Sequence, residues 1–137
     1  MATNSPLKSL RDTSRGLFYT SESDAKITAI SWPAEKVGGA KAPLEAVGKV
    51  AGVEPGTIQS VSLESFFEPM VKPQDWWGEE EKATGARFEP LVKVLSTLTD
   101  VAAFRVGGGP DIDVYIVGGD PASAGGFAGV KTRVTET

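Results

Sequence analysis

The sequence predicts an α+β domain, with helices packed on a mainly antiparallel sheet of about five strands. Three observations predict it. Alternation of apolar and polar residues dominates the C-terminal part of the chain, from Val101 to Thr135. Ahead of it, Phe88, Leu91, Val92, Leu95 and Leu98 recur at three- and four-residue steps, the stripe of a helix laid on a core. Finally, 137 residues, 40% hydrophobic and 23% charged, suit one ordinary domain spanning 1–137 that buries a core without staples.

Ser5-Pro6 reads as a helix opening, since the Ser oxygen can cap free N–H groups and Pro tolerates the first helical position. Leu7 and Leu10 share a face of that short helix, and Gly16 ends it. Lys26 to Trp32 is rich in strand formers and stops at Pro33. A Gly-bearing connection, Glu35 to Ala42, leads to a helix around Leu44 to Val50. Pro55-Gly56 is a turn and Thr57 to Val61 a second strand. Ser62 to Phe67 reads as one helical turn carrying two aromatic anchors.

The longest helix is expected to follow Asp75, a cap ahead of Glu79, Glu80 and Glu81, whose carboxylates suit the positive end of the helix dipole. Gly85 and Pro90 predict a bend or break within it. Three strands finish the chain. Val101 to Val106 enters the tight Gly107-Gly108-Gly109-Pro110 connection. Asp111 to Val117 puts Ile112, Val114 and Ile116 on one face and Asp111, Asp113 and Tyr115 on the other. After a looser loop, Gly118 to Gly126, the strand from Phe127 to Thr135 turns Val130 and Val134 inward and Lys131 and Arg133 outward.

The chain contains no Cys and no His. That removes disulfides, thiolate nucleophiles, Cys/His zinc sites, Ser-His-Asp triads and any histidine base. A formal charge of −4 argues against a basic nucleic-acid reader. No apolar run has the length of a signal peptide or membrane span, so the expected location is cytoplasmic. Gly107-Gly108-Gly109 follows a strand but precedes another strand, without the helix N-terminus that a phosphate cradle needs; it reads as a hairpin connection. Asp111 and Asp113 could share a metal or act as acid and base, but with no third ligand in view a solvated hairpin mouth is the better reading. The chain is therefore expected not to be an enzyme.

Three acidic segments remain. Pro73 to Glu81 holds four carboxylates and two adjacent indoles, Trp76 and Trp77, with no basic residue. Adjacent side chains point in different directions, so one indole can pack inside while the other covers an edge or meets a partner; Trp is enriched at interface hot spots. Ser21-Glu22-Ser23-Asp24 is a polar loop whose plainest reading is an Asx or Ser turn. Thr135-Glu136-Thr137 adds carboxylate at the end of a strand; a terminus usually frays, yet strand alternation runs almost to this one. Together the three segments would form a negative surface suited to a basic partner.

In order along the chain, Gly16-Leu17-Phe18, Ser21-Glu22-Ser23, Ser65-Phe66-Phe67, Pro73-Gln74-Asp75-Trp76, Glu79-Glu80-Glu81, Phe88 to Leu91, Asp113-Val114-Tyr115 and Glu136-Thr137 resemble the motifs of the nuclease A inhibitor family. The resemblance implies a single α/β/α sandwich that binds a sugar-nonspecific, metal-dependent nuclease and blocks its active site. It places Glu22, Gln74, Trp76 and Thr137 against the nuclease, with Thr137 reaching its Mg²⁺ and Glu22 meeting basic active-site groups. Asp24, Asp75 and Glu136, from the same acidic segments, complete the expected partner-facing set. The expected complex is one to one, formed by a monomer with no cofactor of its own and no direct nucleic-acid or membrane contact. The alternative is an interaction domain of the same fold that binds another basic protein.

Overall fold

A computed structural model of the chain describes residues 6–15, 18–20, 24–38, 40, 42–71, 78–107, 111–120 and 126–135. Pro6–Ser14 forms helix α1, as the Ser-Pro opening predicts. Strands β1 (Phe18–Thr20) and β2 (Asp24–Lys26) follow and pair antiparallel. The sequence reading did not separate this ribbon, because three-residue strands are too short to show a period. Strand β3 (Thr28–Trp32) stops at Pro33 as expected. Helix α2 (Pro43–Ala51) opens on Pro43 and closes at Gly52, which has φ 73° and donates its N–H to the Gly48 carbonyl at 2.9 Å.

A 3₁₀ turn at Pro55–Thr57 leads to β4 (Gln59–Val61). Helix α3 (Leu63–Val71) is longer than the single turn expected. Its start is capped by the Ser62 hydroxyl, which accepts the Ser65 N–H at 3.2 Å. Phe66 and Phe67 then both bury, and Phe67 meets Phe88 at 6.0 Å between ring centroids. That aromatic packing gives the extra helix turns something to lie on.

Helix α4 (Glu79–Leu95) begins later than a cap at Asp75 implies: its first turn closes from the Lys82 N–H to the Gly78 carbonyl at 3.2 Å. Of the bend or break expected at Gly85 and Pro90, the break does not occur: the helix continues through both. Pro90 and Ala86 are exposed, so the Ala86 carbonyl deprived of its usual donor faces the wet side of the helix. Strands β5 (Thr99–Val106), β6 (Asp111–Gly119) and β7 (Phe127–Thr135) complete the fold. The loop expected from Gly118 is therefore strand as far as Gly119.

The main sheet has five strands, all antiparallel, in the order β3-β7-β6-β5-β4. Alternation along β6 separates two cores. Ile112, Val114 and Ile116 bury against Leu10 of α1, Phe66 and Phe67 of α3, and Phe88, Leu91 and Leu95 of α4. Tyr115 and Val117 face the other way and bury with Trp32, Phe104, Phe127 and, from α2, Ala46 and Val47. Helices thus cover both faces, giving three layers, α/β/α. Tyr115, grouped by alternation with Asp111 and Asp113, is 8% exposed and supports Trp32 at 5.7 Å. No helix among the described residues is long and apolar enough to cross a membrane.

Candidate functional site

The strand registers define two ends of the sheet. Thr99, Gly119 and Phe127 lie at one, and Asp111 and Thr135 at the other. Since Trp32 pairs with Phe127 and Thr28 with Lys131, the chain entering β3 comes from the Thr135 end. The β1–β2 ribbon lies there. The Thr132 hydroxyl donates to the Ala25 carbonyl at 3.4 Å, and Ile27, buried in the helix-rich core, anchors the ribbon's exit.

Within the ribbon Thr20 pairs with Asp24, so these two residues border the segment 21–23. Ala25 is adjacent to Asp24, and Thr135 is three residues beyond Thr132. At the ordinary reach of an extended chain, Asp24 and the end of β7 are within about 20 Å of each other.

Helix α4 points to the same end. Its C-terminus turns through Leu98 directly into Thr99, at the opposite end of the sheet. Its 17 residues extend about 25 Å from there. Midway, the Arg87 guanidinium donates to the carbonyl of Arg15, just before β1, at 3.3 Å. Glu79 lies about 12 Å beyond that contact along the helix axis. The exposed Gly78, Glu79 and Glu80 therefore approach the end of the sheet that holds Thr135, and carry the side chains most compatible with a helix N-terminus there.

Cross-strand contacts brace this end. Arg133 pairs with Asp113 at 3.3 Å, and the Lys131 ammonium sits 5.2 Å from the centroid of the Tyr115 ring. Asp113 is thus used in a cross-strand ion pair. Among the described residues no group of His, Cys, Asp and Glu is arranged to hold a metal ion. The connection after Gly107 joins two antiparallel strands, as the hairpin reading expects.

Of the residues singled out in the sequence, Glu22, Gln74, Asp75, Trp76, Glu136 and Thr137 lie outside the described residues. Asp24 is the first residue of β2. What is described are the borders of their segments: Thr20 and Asp24 around 21–23, Val71 and Gly78 around 72–77, and Thr135 before 136–137. Sequence reasoning missed Thr132, which is 4% exposed between Val130 and Val134. The same alternation that turned the two valines inward places it inward as well.

The family model described as nuclease A inhibitor-like protein matches residues 4–137. No curated protein matches the chain.

Proposed function

This chain belongs to the nuclease A inhibitor-like family, and we propose that it inhibits a sugar-nonspecific, Mg²⁺-dependent nuclease by occupying its active site. Carrying this reading, beside the family match, is the approach of the described borders of three acidic or Trp-bearing segments to one end of one sheet. A nuclease cleft must attract a polyanion, so it presents Lys, Arg and a metal ion. A protein of net charge −4 can enter it by offering carboxylates where phosphates would sit.

In this reading Glu22, with Asp24, meets the basic groups of the cleft. Gln74, Asp75 and Trp76 cover its rim, with the indole as the apolar anchor. Glu136 and Thr137 reach deepest, and the oxygens of Thr137 are hard ligands of the kind Mg²⁺ accepts. The protein acts as a monomer in a one-to-one cytoplasmic complex, with no cofactor or active site of its own.

Trp76→Ala is expected to cost about 2 kcal/mol of binding, as truncation of an interface anchor does. Titration calorimetry with the nuclease and thermal unfolding of the free protein check it together. Unaltered affinity with lost stability would make Trp76 a core residue instead. Glu22→Gln is expected to slow association, by a factor that shrinks as salt rises, because a carboxylate that meets basic groups steers the encounter. Stopped-flow association at several ionic strengths measures this; a salt-independent loss contradicts it.

A further inference from the structure

The β1–β2 ribbon is not part of the five-stranded ladder, so strand pairing with the main sheet does not fix its orientation. Side-chain contacts with β7 must help to do that. Along β7, Val130, Thr132 and Val134 face the helix-rich core at 0%, 4% and 6% exposure. A valine at the middle position would fill nearly the same volume without bringing a hydroxyl out of water, and burying a hydroxyl is unfavourable unless it is bonded. Here it is bonded: Thr132 Oγ1 donates to the carbonyl of Ala25, at the centre of β2 and 107 residues away in sequence.

We propose that Thr132 is a positioning residue for inhibition: its hydroxyl sets the β1–β2 ribbon against β7. The spacing between Thr20 and Asp24, which border the segment of Glu22, and the end of β7 is then set before the partner is met. The proposal rests on the inhibitor reading above. Without the bond, the ribbon keeps its own pairing and its Ile27 anchor, so the fold survives while the ribbon's lean against β7 loosens. Two segments that must enter one cleft then no longer arrive pre-spaced, and affinity falls because their ordering is left to the binding step.

The test compares the wild-type protein with Thr132→Val and Thr132→Ser as inhibitors of the nuclease acting on plasmid DNA. Thr132→Val is expected to raise the inhibition constant about tenfold while the melting temperature moves by less than about 3 °C. Thr132→Ser, which keeps the hydroxyl, is expected to restore inhibition to within about threefold of wild type. Amide hydrogen exchange in the free protein should quicken at residues 18–20 and 24–26 in Thr132→Val and stay unchanged in β3. Glu22→Gln should cost less in the Thr132→Val background than in wild type, since the two changes act on the same segment. An inhibition constant for Thr132→Val within twofold of wild type overturns the proposal, as does an equal cost of Glu22→Gln in both backgrounds. A wild-type protein that does not inhibit overturns the inhibitor reading itself.

Discussion

Removing Glu136 and Thr137 is expected to raise the inhibition constant at least about a hundredfold, a loss of about 2.7 kcal/mol, and to leave the fold intact. The two halves of this prediction have separate causes. Stability survives because β7 completes its ladder before the deleted residues: Thr135 is already paired with Asp111, and Val134 with Ile112. The last buried side chain among the described residues is Val134, which the truncated chain keeps. Inhibition fails because the deleted residues are those assigned to the deepest part of the nuclease cleft, where oxygen ligands face a cation in a site sheltered from water. Inhibition assays and thermal unfolding of the truncated protein decide it. An unchanged inhibition constant rejects the assigned role of the segment, and a large fall in melting temperature shows that it belongs to the fold instead.

Gly129→Ala is expected to destabilise the protein by more than about 3 kcal/mol, lowering the melting temperature by roughly 10 °C or more. Gly129 sits mid-strand in β7, between Val117 of β6 and Ile30 of β3. A Cβ there would overlap the Ile116 carbonyl. A flexible side chain could swing aside, but this obstacle is backbone in the middle of the sheet, so β6 and β7 must separate or shift register. Because β6·β7 pairing joins the two cores, the damage spreads to both faces. Gly56→Ala is the matching control: a Cβ at Gly56 meets open space, and the change is expected to stay within about 0.5 kcal/mol. Calorimetry on both variants tests the contrast; a Gly129→Ala protein melting within about 2 °C of wild type would mean that the strands are not packed this closely.

The contrast between Val130 and Gly129 also shows what can be read from a sequence. The alternation that turned Val130 and Val134 inward is a local property, and all three C-terminal strands followed from it. That a glycine two strands deep marks a close backbone approach depends on the neighbour supplied by β6, which no local pattern contains. The α4 stripe predicted burial of Phe88, Leu91 and Leu95 correctly. Helix α4 runs on unbroken through Pro90, where a bend or break was expected, because proline's cost depends on which side of the helix the freed carbonyl faces, and here it faces solvent. Helix α3 outran its expected single turn because its length is set by aromatic packing with α4, a tertiary contact.

For the candidate site, sequence motifs proposed the residues, and the topology relates the described borders of their segments. Nothing in Ser21-Glu22-Ser23-Asp24 says that the strand it leads into meets β7, since the two stretches lie at opposite ends of the sequence. Nothing in Glu79-Glu80-Glu81 says that this helix start approaches the same end of the sheet, because that follows from where Leu95 hands over to Thr99.

The central claim is tested most directly by titrating the full chain into a fixed amount of sugar-nonspecific nuclease, with plasmid DNA and Mg²⁺ present, and measuring the cleavage rate. The account predicts a linear fall in cleavage to near zero at one equivalent of inhibitor, relieved as substrate DNA is raised. Undiminished cleavage at a large molar excess, with the two proteins failing to co-migrate in gel filtration, would contradict it.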